Sequence, residues 1–156
     1  MSRTLLLNPQ VGRTSKALGK GEKMSRERQG GDQPQIVLID DDPTYGAVIG
    51  RWAEIEGVKM DVFHSLDDLG FVGLLSPYDV AIVDYDLGEI NGKDVAEYME
   101  SLFRNKPMVI ISSIDRSREL TSCPSCVKAF MKKSAGYERI LNTALNLREQ
   151  ANKRKA

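Results

Sequence analysis

The sequence predicts an α/β fold, a five-stranded parallel sheet held between two layers of helices. Three observations predict it. Five short apolar runs alternate with segments of helical periodicity between residues 35 and 150. Four of those runs are nearly continuous, as strands covered on both faces are. The same four end in polar chemistry: Asp40-Asp41-Asp42 after IVLI, Asp84 after AIV, Ser112-Ser113 after MVII, and Lys132-Lys133 after VKAFM. Strands joined by helical crossovers lie parallel, and ligands sit outside their carboxyl ends.

Each element has its own warrant. Residues 1–34 are rich in Gly, Ser, Lys, Arg and Gln and hold few large apolar side chains after Leu7. Such a stretch buries too little to offset its ordering entropy, so it is read as a basic, disordered tail, with Met24 as an alternative start. IVLI is the first strand. Pro43 suits a first helical turn, and Tyr45, Val48, Ile49, Trp52 and Ile55 follow at helical spacing until Gly57. Trp52 is read as core or as packing on that helix face. Val58, Met60 and Val62 alternate as a half-buried strand does. Ser65-Leu66-Asp67-Asp68 opens a short helix that Pro77 breaks near Leu75.

Val80–Val83 is the third strand, closed by Asp84. After Gly88 and Gly92 comes a helix with Val95, Tyr98, Met99, Leu102 and Phe103 on one face. Pro107 stops it, and Met108–Ile111 is the fourth strand. Residues 114–123 make a weak helix at best, because Pro124 and two serines interrupt them. Val127–Met131 is the fifth strand. Tyr137, Ile140, Leu141, Ala144 and Leu145 mark the last amphipathic helix, and residues 151–156 read as a frayed basic terminus.

Composition narrows the class. The 156 residues suit one domain, here 35–150, with a proper core. Net charge is zero, but residues 1–34 hold seven basic against three acidic side chains, and the remainder fifteen against nineteen. An acidic body argues against nucleic-acid contact by the core. No run approaches the ~20 apolar residues of a membrane span, so the expected compartment is the cytoplasm. Cys123 and Cys126 form a lone CxxC. They are too few for a secreted disulfide framework, and a zinc site lacks its second pair. Packing is the leading reading, with redox modulation of the segment between strands four and five behind it. His64, the only histidine, is read as a surface residue at a strand end.

The strand-end residues form one chemistry. Asp40, Asp41 and Asp84 brought together raise each other's pKa, and a hard divalent cation relieves the repulsion. Oxygen-only ligands suit Mg2+ or Mn2+. Asp84 is then a nucleophile toward a phosphoryl donor, while Lys133 neutralises charge and Ser112 donates to a phosphoryl oxygen. Asp42 is read as a helix cap, and Lys132 as a solvated neighbour.

In this order, IVLIDDDP, VAIVDYDLGEINGKDV, MVIISS and FMKKS resemble the receiver domain of bacterial two-component response regulators, of the single-domain, chemotaxis-regulator-like kind. The resemblance implies a flavodoxin-like sheet of order 2-1-3-4-5. It places Asp84 at the phosphoacceptor and Asp40 and Asp41 at the acidic pair, with Asp41 the direct metal ligand. The backbone carbonyl of Asp86 falls at the remaining protein ligand. Ser112 matches the switch hydroxyl, Lys133 the lysine, Phe130 the aromatic switch and Gly92 the glycine after the acceptor. A histidine kinase or phosphotransfer protein is implied as donor, and a downstream protein partner on the face of the fourth helix, fifth strand and fifth helix.

The sequence also departs from that pattern. Ser134 replaces a usual Pro, so Lys133–Ser134 is expected either to be trans with Lys133 aimed elsewhere or to be a strained cis bond. Gly88 replaces a frequent Pro and is expected to loosen its loop. Asp86 adds an acid beside the site. Two alternatives stand beside the receiver. Asp84-Tyr85-Asp86 is also a DxD of the haloacid-dehalogenase-like phosphatase kind, though the acidic pair comes too early for that order. A pseudo-receiver that binds without phosphorylation is the other.

Overall fold

The computed structural model describes residues 32–75, 77–102 and 106–156, with the backbone alone for 71–75 and 102. Phe103 and the tail reading over residues 1–31 lie outside the described residues. The apolar runs become the strands β1 (Gln35–Ile39), β2 (Lys59–Phe63), β3 (Val80–Asp84), β6 (Met108–Ser112) and β7 (Val127–Lys132). They pair in parallel in the order β2-β1-β3-β6-β7, which is the expected 2-1-3-4-5 arrangement.

Alternate residues of the inner strands face opposite layers, because the strand repeat is two. Ile36, Leu38, Ile82, Val109 and Ile111 pack with the helices α1 (Pro43–Ile55) and α4 (Tyr137–Lys155). Val37, Ile39, Val83 and Ile110 pack with α2 (Leu66–Leu75) and α3 (Gly92–Leu102). The sheet is therefore covered on both faces, and its continuous apolar runs follow from that.

Local chemistry sets the helix starts. Asp42 Oδ1 accepts from the amides of Thr44 (2.9 Å) and Tyr45 (3.2 Å), with Pro43 in the first turn. Asn91 Oδ1 accepts from Lys93 and Asp94, and Asp94 Oδ2 accepts in return from Asn91. This reciprocal cap starts α3.

Three expectations are corrected. The buried side of α1 is Tyr45, Gly46, Ile49 and Ala53, whereas Trp52 is 37 % and Ile55 64 % exposed. A Cβ on Gly46 would lie 2.8 Å from Val62 Cγ1, so Gly46 is where α1 comes closest to β2. Between β6 and β7 runs a 3-10 stretch, Ser117–Ser122, which agrees with a weak helix at best. Residues 151–155 continue α4 instead of fraying. The loop after Asp84 is not slack. β4 (Asp86–Leu87) and β5 (Ile90–Asn91) pair antiparallel, and Gly88 turns between them at φ 80°.

Candidate phosphoacceptor site

The carboxyl ends of β1, β3 and β7 converge on one group of side chains. Asp40 follows β1 and is fully buried, Asp84 ends β3 and is nearly so, and Asp41 is exposed. Their carboxylate oxygens lie within 4.8 Å of one another. From the end of β7, Lys133 Nζ reaches Asp84 Oδ2 at 2.9 Å and Asp40 Oδ2 at 2.7 Å. Among the described residues no peptide bond is cis. The expected dilemma over Lys133–Ser134 therefore dissolves: the bond is trans and Lys133 still reaches both acids. The 3-10 turn Lys133–Ala135, closed by Gly136 at φ 95°, carries the chain away without a proline.

Charge within this group is unbalanced. Burial pushes the Asp84 carboxyl above its ordinary pKa, and Asp40 pushes it further, while Lys133 offsets part of the rise. For Lys133, burial acts to lower the pKa. The hydrogen bonds and charges of Asp40 and Asp84 outweigh it, and the ammonium is held raised. Three carboxylates against one ammonium leave excess negative charge. The oxygen-only donor set and its spacing fit a hard divalent cation, which would share Asp40, Asp41 and Asp84.

Other predicted residues take defined places. Ser112 is fully buried at the end of β6, one residue beyond Ile111, the strand partner of Asp84. Its Oγ accepts from Ile114 N at 3.3 Å. The amide of Asp86 donates to Asp84 Oδ1 at 3.4 Å, but its own carboxylate is mostly exposed and pairs with Arg116 at 3.7 Å. Asp86 therefore adds its acid at the rim. Gly92 donates to Tyr85 O at 2.7 Å, and a Cβ there would sit 2.8 Å from Asp84 O. Phe130 is half-buried, with its ring 6.0 Å from that of Tyr85. His64 is exposed, as expected, with Nδ1 3.1 Å from Asp40 O. Cys123 and Cys126 are free thiols.

Two features escaped the sequence. Tyr85 Oη donates to Glu119 at 2.7 Å while the Arg116 guanidinium lies 3.9 Å from the Tyr85 ring, which fastens the acceptor loop to the 3-10 stretch. Tyr45 presents its ring to Lys133 Nζ at 4.5 Å. Neither pairing leaves a local signature, since both join residues from separate crossovers. Among the described residues no helix is long and apolar enough to cross a membrane.

No protein-family model and no curated protein matches the sequence. Solved structures do match. The Francisella response regulator 1452 receiver domain is 18 % identical with a TM-score of 0.68, over 76 % of this chain and 98 % of that one. A response regulator from Burkholderia pseudomallei, with a phosphorylated aspartic acid, calcium ion and citrate, is 16 % identical, with a TM-score of 0.65 over 80 % and 74 %. The Thermotoga maritima response regulator TrrA, in complex with Mg2+ and BeF, is 18 % identical, with a TM-score of 0.65 over 74 % and 99 %. The chain has the receiver-domain fold.

Proposed function

We propose that the chain is a phosphoacceptor signalling switch of a two-component system or phosphorelay. One observation carries this reading: Lys133 Nζ bridges Asp84 and Asp40 at 2.9 and 2.7 Å inside a carboxylate triad with metal-binding spacing. An oxygen of Asp84 attacks the phosphorus of a phosphohistidine donor, and the imidazole nitrogen leaves with the bonding electrons. Lys133 follows the developing charge from the carboxylate to the transferred oxygens. Ser112 Oγ donates to another oxygen, leaving its contact with Ile114 N. Asp40, Asp41, Asp84 and the carbonyl of Asp86 would hold a divalent cation such as Mg2+, which would supply further charge neutralisation. The metal-bearing structures with this fold support that assignment.

Transfer is single and stoichiometric, so the chain acts on itself and is not a turnover enzyme. The added charge of about −1.5 to −2 biases Ser112 and Phe130, and a protein partner reads the change on the face of residues 117–122, β7 and α4. The phosphatase reading needs Asp86 as acid or base, and its pairing with Arg116 at the rim does not favour that.

The test is labelling by acetyl phosphate with intact-mass readout. One phosphoryl group per chain is expected, dependent on Mg2+ and absent in Asp84→Asn. Catalytic release of phosphate from a monoester would instead support the enzyme, and no labelling of a folded, Mg2+-binding chain would support the pseudo-receiver.

A further inference from the structure

Three groups surround the ammonium of Lys133. Nζ donates to Asp84 Oδ2 at 2.9 Å and forms an ion pair with Asp40 Oδ2 at 2.7 Å. The Tyr45 ring lies under Nζ with its centroid 4.5 Å away, a distance at which the negative ring face attracts a cation. Tyr45 is only 7 % exposed. Its ring stands 5.1 Å from that of Tyr137, at 46°, which ties the first turn of α1 to the first turn of α4. The ring is thus held by two helices while the lysine it touches comes from the turn after β7. The hydroxyl takes no part in this: Tyr45 Oη is buried and makes no hydrogen bond among the described residues.

We infer that Tyr45 is a positioning residue for Lys133, its ring face holding the ammonium astride Asp40 and Asp84. The inference rests on the phosphoacceptor reading for its consequence in transfer, but not for the contact itself. A flexible four-carbon side chain otherwise has many rotamers, and a fixed ring narrows them. When Asp84 gives up its contact to the incoming phosphoryl group, the ring contact remains. Lys133 then pivots between carboxylate and phosphoryl oxygens without swinging to solvent.

The experiment uses the full chain, with Tyr45→Phe and Tyr45→Leu variants. In the native protein the Cε protons of Lys133 are expected upfield of ordinary lysine, shifted by the ring current. Tyr45→Phe keeps that shift and most of the acetyl-phosphate labelling rate. Tyr45→Leu loses the shift and slows labelling on the order of tenfold. An ordinary Lys133 shift in the unmodified chain overturns the inference, and that measurement stands even if the leucine variant does not fold. Equal losses in the phenylalanine and leucine variants also overturn it, since the hydroxyl would then be responsible. If no variant nor the unmodified chain takes phosphoryl groups, the function proposed above falls, while the proton shift still decides the contact.

Discussion

Gly92 and Asp84 show how far single positions constrain this molecule. A methyl group at residue 92 would press on Asp84 O at 2.8 Å and Tyr85 Cα at 3.0 Å, both backbone atoms with little freedom to yield. Gly92→Ala is expected to destabilise by about 1–3 kcal/mol, read from a denaturant midpoint, and to slow labelling of Asp84. Asp84 carries a raised pKa, so the native state holds its proton more tightly than the unfolded chain does. Stability therefore falls as pH rises from the ordinary carboxylate value of 3.8 through the raised one. Asp84→Asn removes this dependence and is expected to be more stable than the parent at neutral pH without metal, with the gap closing as pH falls toward 3.8. A gap that widens in acid would contradict the assignment. Asp40, Asp41, Asp84 and Lys133 could be read from the sequence because each follows an apolar run. The aim of Lys133 could not, since it depends on a turn whose dihedral angles no residue type announces.

At the scale of elements, the strands and their order were readable, and the faces of the helices less so. In α1 the helical spacing grouped Trp52 and Ile55 with Tyr45 and Ile49, whereas the face that meets β2 is centred on Gly46. Periodicity reports which residues share a side, not which side finds the sheet. The segment between β6 and β7 was readable only as weak. Arg116 and Glu119 tie it to Asp86 and Tyr85 of the acceptor loop, contacts that are non-local. Its two thiols sit in different surroundings. Cys126 is buried, donates to Ala96 O at 3.7 Å, and its pKa is pushed up to about 11 by burial. Cys123 is half-buried and donates to Glu119 O at 3.3 Å. A thiol reagent is expected to modify Cys123 in the native protein and Cys126 only on unfolding. Matching rates for the two would show that the segment opens as a unit.

Across the whole described chain, the sheet and its two helical layers followed from binary patterning, while the ties between distant ends did not. Arg148 on α4 gives Nε to Asp79 Oδ2 at 2.9 Å and a terminal nitrogen to Asp32 O at 2.8 Å. Asp79 Oδ2 also accepts from Gln35 N at 3.0 Å, so one carboxylate serves the start of β1 and the last helix together. Arg148→Met keeps the aliphatic stem and removes the fork. It is expected to lower stability by about 1–2 kcal/mol, discounted for partial exposure, with amides at the start of β1 exchanging faster. Unchanged exchange at Gln35 would show the tie to be idle. The guanidinium joins positions 116 residues apart along the polymer. It acts as a clasp on a necklace, far from the acidic pocket. Opening it should loosen only the start of the first strand, at the amino edge of the sheet, and leave the acidic pocket at the carboxyl edge in place.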